Sequence, residues 1–265
     1  MKIFLKYFSG TGNSWKILDT CKGVFKEHNI ETVISPLRID EQPDLDAEII
    51  GFCFPVYAFG IPRLCRRYLN KLTRFKEVKK AFVIITTGKY DEAGFSVKQC
   101  EKILQRKNCN VIYSAVVEMP INWTTFMNPP SDSEACQIIG NGVSQAREIS
   151  NDILRGISKY HVFTIPQNYG RWGLYREYYL FKYFGIQNLW RSFKVYSGCN
   201  GCGVCEKICP TGSIKLANEK PVWSSSCEQC MRCVNFCPQE AIYQSMGGET
   251  AGRNRYRMPD FKPVK

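Results

Sequence analysis

Eight cysteines crowd the C-terminal quarter of this 265-residue chain. They run Cys199-x2-Cys202-x2-Cys205-x3-Cys209-Pro210 and Cys227-x2-Cys230-x2-Cys233-x3-Cys237-Pro238. Cysteine thiolates are soft ligands that suit iron–sulfur clusters and zinc. Two-residue gaps let three successive thiolates converge on one cubic cluster from a tightly wound loop, while a fourth, past a three-residue gap, points elsewhere. Zinc takes its cysteines as two pairs and leaves the third in-phase cysteine and the proline, each present twice, without a role. The spacing predicts iron–sulfur chemistry, the passage of single electrons.

A second chemical element lies at the other end, in Ser9-Gly10-Thr11-Gly12-Asn13-Ser14. This stretch joins an apolar strand to an amphipathic helix, and a helix start offers free backbone N–H groups to a phosphate. Ser9, Thr11 and Ser14 add hydroxyls, Asn13 an amide, and Gly10 and Gly12 close approach of the backbone. A nucleotide triphosphatase loop would need G-x4-G-K-[ST], and the Lys-Ser/Thr pair is missing. A dinucleotide fingerprint would need a third glycine where this chain has Trp15. What remains is a loop for a monophosphate that uses few formal charges.

The cysteine runs resemble those of bacterial two-cluster ferredoxins, and the Ser9–Ser14 loop resembles the flavodoxin S/T-G-T-G-N-S/T motif that holds FMN. As a whole the chain resembles the flavodoxin–ferredoxin fusion proteins of anaerobic bacteria and archaea. The flavodoxin likeness covers about residues 1–155 and the ferredoxin likeness 197–245; Arg253-Asn254-Arg255-Tyr256-Arg257 looks like that family's ending. The resemblance implies FMN and two [4Fe-4S] clusters. It implies one cluster on Cys199, Cys202, Cys205 and Cys237, and a second on Cys227, Cys230, Cys233 and Cys209. For FMN it implies the Ser9–Ser14 loop and two others. Pro55, Val56, Tyr57, Ala58, Phe59 and Gly60 follow the third strand, with Tyr57 or Phe59 stacking on the ring. Thr87, Gly88, Lys89 and Gly94 follow the fourth, near the flavin's polar edge. No catalytic residue is assigned. His28 and His161, the only histidines, are expected away from all three loops.

The elements that must position these residues alternate. Strands are expected over Lys2 to Phe8, Glu31 to Leu37, Ala47 to Phe54, Ala81 to Thr86 and Val111 to Val117. Helices are expected over Asn13 to Glu27, Pro62 to Leu72, Phe95 to Lys107 and Glu134 to Ile157. Such alternation implies α/β architecture with a parallel sheet covered on both faces. The resemblance specifies it as a flavodoxin-like, doubly wound, five-stranded sheet of order 2-1-3-4-5, followed by a small α+β two-cluster ferredoxin domain. The expected division is 1–157 for FMN, 158–196 as an aromatic, basic connector buried between the halves, 197–245 for the clusters, and 246–265 as a basic tail. The two cysteine runs form an internal repeat in which Cys199 aligns with Cys227 and Pro210 with Pro238.

The formal charge of +12 falls to about +6 once two cluster–thiolate sets and a phosphate are counted. Nucleic acid is therefore not expected as a partner. Residues 151–196 carry seven basic and two acidic side chains, whereas 197–245 carry four of each. That balance predicts an acidic redox protein as partner, a ferredoxin-like or flavodoxin-like carrier, met by a monomer or homodimer. The apolar stretch of MKIFLKYFSG is too short for a signal peptide, and no run approaches the ~18 apolar residues of a membrane span. The other six cysteines are scattered singly, which suits a reducing compartment and a cytoplasmic location. The expected function is electron transfer between two [4Fe-4S] clusters and FMN, linking a low-potential one-electron carrier to a redox partner. The alternative is an FMN-dependent reductase of a small substrate fed by its own ferredoxin domain; a redox-sensing module is a third reading.

Overall fold

Two strands of nearly unbroken apolar residues, β3 (Ile49–Pro55) and β4 (Lys79–Thr87), lie inside a five-stranded parallel sheet. Strands covered on both faces read this way. With β1 (Lys2–Tyr7), β2 (Glu31–Pro36) and β5 (Cys109–Glu118) the order is β2-β1-β3-β4-β5, the flavodoxin-like doubly wound order. The edge strand β2 is instead only partly buried. Crossovers are supplied by α1 (Asn13–Glu27), α2 (Arg63–Lys71) and α3 (Ser96–Arg106). A longer helix, α4 (Asp132–Leu154), follows the last strand. It opens on a reciprocal cap: Ser131 N–H donates to Glu134 Oε2 at 2.8 Å, and Glu134 N–H donates to Ser131 Oγ at 3.4 Å.

The computed structural model describes residues 1–166, 170–185, 188–248 and 250–264. Residues 167–169 and 186–187 of the expected connector, and 249 and 265 of the tail, lie outside these. The chain divides into two compact units. The first holds Met1–Ser9, Asn13–Met119 and Cys136–Tyr175; the second holds Gly10–Gly12, Pro120–Ala135 and Arg176–Lys265.

Register brings three loops to one edge of the sheet. Tyr7 pairs with Cys53 and Pro55 with Thr86, so β1, β3 and β4 end side by side. The chain leaves them at Ser9, Val56 and Gly88, beside the point where strand order reverses between β1 and β3. Lys6, fully buried at the end of β1, donates to Ser35 Oγ, Pro36 O and Glu41 Oε2 at 2.9, 3.1 and 2.8 Å, which offsets the cost of burying its charge.

The second unit carries two small antiparallel ribbons, β6 (Phe193–Val195) with β9 (Ile242–Gln244), and β7 (Ile214–Ala217) with β8 (Lys220–Trp223). Two four-residue helices, Val204–Lys207 and Arg232–Asn235, carry the third cysteine of each run. Phe193 stacks on Trp223 at 5.1 Å, within a core that includes Cys205, Cys209, Cys227 and Cys233.

The aromatic connector differs from its expectation of burial. In the helix Arg171–Leu180 only Leu174 is buried, and Trp172, Tyr175, Tyr179 and Leu180 are exposed. Tyr183 and Phe184, just beyond, are exposed too. Tyr175 packs on Phe95 at 4.9 Å, and the later aromatics contact one another and lysine: Tyr179 stacks on Tyr183 at 6.0 Å, and Lys182 Nζ lies within 5.6 Å of the Tyr178, Tyr179 and Tyr183 ring centres. Ring density along the sequence is not burial when the rings occupy most faces of a helix that packs on few.

Candidate functional site

The loop after β3 turns back on itself between Tyr57 and Gly60, which exchange backbone hydrogen bonds at 2.7 and 3.2 Å. Its two central residues, Ala58 and Phe59, both have positive φ, 46° and 63°. Such a turn ordinarily uses glycine or asparagine, so this one holds backbone strain, a property concentrated at ligand-holding loops. The turn is braced by Phe95, whose N–H donates to the Phe59 carbonyl at 2.7 Å. Gly94, at φ +53°, permits that approach; a Cβ there would sit 2.5 Å from Phe59 Cβ and 2.6 Å from its carbonyl oxygen. The close neighbour of Gly94 is thus the Phe59 turn.

The loop after β4 is exposed at Lys89, while Thr87 is buried with its hydroxyl donating to the Lys89 carbonyl at 3.1 Å. Tyr90, next in the chain, carries no sequence signal of its own. Its N–H donates to Glu118 Oε1 at 2.6 Å, and its hydroxyl lies 3.1 Å from His161 Nδ1 with the rings edge to face. His161 therefore adjoins this loop, contrary to the expectation that both histidines lie away from it. It is brought there because its N–H donates to Ser114 Oγ on β5 at 3.0 Å, docking the segment after α4 beside the sheet. Burial holds its imidazole below the ordinary range.

In the phosphate-type loop, Ser9, Thr11 and Ser14 are buried and Asn13 is half-buried. The Ser14 hydroxyl lies 2.8 Å from Thr86 Oγ1, so it is engaged with the sheet, and a ligand at this helix start would meet backbone N–H groups instead. The tip, Gly10–Gly12, packs within the second unit. Asn122 Nδ2 donates to Thr11 Oγ1 at 3.1 Å, and the Met258 N–H donates to the Thr11 carbonyl at 2.8 Å. A Cβ on Gly10 would sit 2.2 Å from the Cys230 carbonyl oxygen, and one on Gly12 2.4 Å from Met258 Cβ. Both glycines are thus required by close approach of other backbone and side chains. The tail containing Met258 folds back here rather than projecting as a free basic arm. Arg253 Nη1 donates to both the Thr124 and Thr125 carbonyls at 2.6 Å, and the Tyr256 N–H to Asn235 Oδ1 at 2.9 Å.

The eight motif cysteines line two separate spaces. Cys199, Cys202, Cys205 and Cys237 line one; Cys209, Cys227, Cys230 and Cys233 line the other. Each ring takes three thiols from one run and the fourth from the other. The winding follows from left-handed residues at repeat-equivalent positions: Gly201 and Gly203 in the first run have φ of 73° and 72°, Gln229 and Met231 in the second 58° and 56°. Alternating handedness turns successive backbone N–H groups inward, as in anion-binding nests. Burial pushes the thiols up, to about 11 at Cys205 and Cys230 and about 12 at Cys227. At Cys209 burial is outweighed by the Ser213 and Thr211 hydroxyls, at 3.2 and 3.7 Å, so this thiol lies below its ordinary range. Among the described residues no three His, Cys, Asp or Glu side chains are grouped to hold a single ion. Four thiols around a space, rather than converging on a point, are the donor set of a multi-atom cluster. Of the remaining cysteines, Cys21, Cys53, Cys65, Cys100 and Cys109 are buried in the core and Cys136 is exposed.

Residues 198–242 match the 4Fe-4S dicluster domain family. A ferredoxin-like protein in the vnf region of Azotobacter vinelandii is 35% identical over 54 residues, which cover 18% of this chain and 83% of that protein. Through this segment the chain belongs to the ferredoxin family. The ferredoxin segment is also similar to the polyferredoxin protein MvhB of Methanothermus fervidus, 42% identical over 44 residues, or 17% of this chain. The chain spans only 11% of that polyferredoxin's length. On the structural side, flavodoxin 1 from Bacillus cereus aligns over 60% of this chain and 100% of its own, at 17% identity and a TM-score of 0.44. The ferredoxin segment thus shares one chain with a parallel sheet of flavodoxin-like strand order. Among the described residues no helix is long and apolar enough to cross a membrane.

Proposed function

We propose that the chain carries electrons between two [4Fe-4S] clusters and FMN, linking a low-potential one-electron carrier to a redox partner. The observation that carries this reading is the pair of four-thiol rings, each completed by a cysteine of the opposite run. Cys199, Cys202, Cys205 and Cys237 would hold one cluster and Cys227, Cys230, Cys233 and Cys209 the other. The start of α1, with Ser9, Thr11 and Asn13, would hold the FMN phosphate. The Pro55–Gly60 turn and the Thr87, Gly88, Lys89 and Gly94 loop would flank the ring system, Tyr57 and Phe59 offering aromatic faces. When bound, the clusters supply one-electron chemistry and FMN supplies the conversion between one- and two-electron traffic. The Ala58–Phe59 strain supports the flavin reading, because a turn held out of its preferred conformation is preorganised for a ligand. The basic connector favours an acidic carrier protein as partner in a reducing, cytoplasmic setting.

Anaerobic purification with FMN, iron and sulfide counts, followed by a spectroscopic redox titration, tests the reading. About eight irons and one FMN per chain are expected. Zinc in the thiol rings, or no flavin, overturns it.

The second reading, an FMN-dependent reductase of a small substrate, is favoured by the Tyr90–His161 pair, which puts an acid–base group beside the loop after β4. If His161→Phe slows reduction of a small acceptor tenfold while transfer to a protein carrier is unchanged, the reductase reading gains; an equal effect on both removes it.

A further inference from the structure

The two thiol rings repeat one backbone pattern and differ sharply in what covers them. Around the first, Cys202 is exposed and Cys199 and Cys237 are half-buried. Around the second all four cysteines are buried, at 6 to 9% exposure. The difference traces to repeat-equivalent positions. Where the first run has Asn200, Gly201 and Gly203, the second has Glu228, Gln229 and Met231, all three buried against their own ring. Gln229 Nε2 donates to Cys227 Sγ at 3.6 Å, and Gln229 Oε1 accepts from Gln244 Nε2 at 2.7 Å. Gln229 and Met231 carry these side chains at left-handed φ, a conformation that glycine adopts without strain and that costs other residues about 1 kcal/mol. The second run thus holds two strained residues, one hydrogen-bonded to the Cys227 thiol and the other lining the space between the thiols. The first run has the same backbone and no side chain of its own at those points; Glu219 packs at Gly201, Gly203 is uncovered, and Cys202 is exposed.

We propose that the ring of Cys199, Cys202, Cys205 and Cys237 is the port at which a soluble one-electron carrier protein exchanges electrons with the chain, and that the ring of Cys209, Cys227, Cys230 and Cys233 is an internal relay closed to such carriers. The inference rests on the iron–sulfur reading above. One electron passes between the carrier and the Cys202 edge, in either direction, with no bond made or broken. The glycine at 203 lets the carrier's own redox centre come close to the exposed thiolate, whereas the space at Gly201 is filled by Glu219, whose Cβ would lie 2.9 Å from an added Cβ.

The test uses the full iron-loaded chain reduced with dithionite, reading its electron paramagnetic resonance with and without a soluble dysprosium chelate, which speeds the spin relaxation of exposed clusters only. Reduction by methyl viologen radical, followed by stopped flow, reads exchange directly. Gly203→Met copies Met231 of the second run, and a Cβ at Gly203 meets nothing nearer than Leu216 Cδ1 at 3.5 Å. The relaxation effect and the exchange rate are each expected to fall at least threefold in this variant. In Cys202→Ala the dysprosium-sensitive signal is expected to disappear while a dysprosium-insensitive one remains. Should Gly203→Met fold poorly, Gly203→Ala gives a smaller change of the same sign. An unchanged rate in the Gly203 variants, or a dysprosium-sensitive signal that survives Cys202→Ala, overturns the port. A loaded wild-type chain without any reduced-cluster signal overturns the iron–sulfur reading itself.

Discussion

Arg232 and Gly10, 222 residues apart in sequence, are joined by a hydrogen bond from Arg232 Nε to the Gly10 carbonyl at 3.2 Å. The same guanidinium donates through Nη1 to the Ile208 and Val264 carbonyls at 2.8 and 2.9 Å. One buried side chain thus satisfies acceptors on the glycine loop, beside Cys209, and in the tail. Arg232→Ala would leave three carbonyls short of a donor, and we expect a loss of about 3 kcal/mol in unfolding free energy. Arg232→Lys should recover less than half, since an ammonium cannot reproduce the fork. Denaturant unfolding of the iron-loaded chain measures both, and a loss under about 1 kcal/mol would count against this role.

Gly94→Ala tests the proposed flavin loops separately from the thiol rings. The added Cβ meets the Phe59 turn at 2.5 Å and the position holds φ +53°, so the turn must shift at a cost of about 1–3 kcal/mol. FMN affinity, read by fluorescence quenching of the flavin, is expected to fall about tenfold while the iron content stays the same. Equal FMN affinity in the variant would remove the turn from the flavin site.

His161 gives the chain a predictable acid response. Its folded-state pKa is depressed by burial, so the unfolded chain binds the proton more readily. Stability therefore rises with pH across the window below the ordinary histidine value of about 6.5, and is lost as pH falls through it. His161→Phe should flatten the difference in melting temperature between pH 7 and pH 5.5. Carboxylates such as Glu41, held low by hydrogen bonds from Lys6 and Arg38, titrate in both chains and cancel in the comparison. A variant with the same slope as the wild type would exclude His161 as the source.

Ligand sharing between the runs can be read from iron counts in pairs of substitutions. Cys202 and Cys237 line one space, Cys202 and Cys209 different ones. Cys202→Ala with Cys237→Ala is expected to lose no more iron than either alone, about four per chain, while Cys202→Ala with Cys209→Ala loses about eight. The reverse ranking would mean that each run keeps its own four cysteines.

The parallel α/β sheet was legible because it is written in short-range pattern, whereas its strand order and the sharing of cysteines were implied by the resemblance to known families. Apolar strands alternate with amphipathic helices, and three cysteines at fixed gaps need a fourth from elsewhere. What could not be read depends on contacts across long separations. His161 reaches Tyr90 only because Ser114 on β5 anchors the intervening segment. The roles of Gly10 and Gly12 are set by Cys230 and Met258, which no local motif connects to them. Gln229 and Met231 are equally hidden, since left-handed backbone at a non-glycine residue leaves no mark in composition. Aromatic density between residues 171 and 184 suggested burial, but that inference needs a partner surface, and only Leu174 of the helix there is fully covered.

The hydrogen bond from Met258 to Thr11 also sets an order of events during synthesis. The strands of the sheet contact near neighbours in sequence and can assemble as the chain emerges. The Gly10–Gly12 tip, made among the first residues, gains its packing only after the segment around Met258 exists, and closing so long a loop is slow. The Gly10–Gly12 tip is therefore among the last parts of the molecule to become native. Pulsed hydrogen exchange during refolding should find the Met258 amide protected after those of β3 and β4.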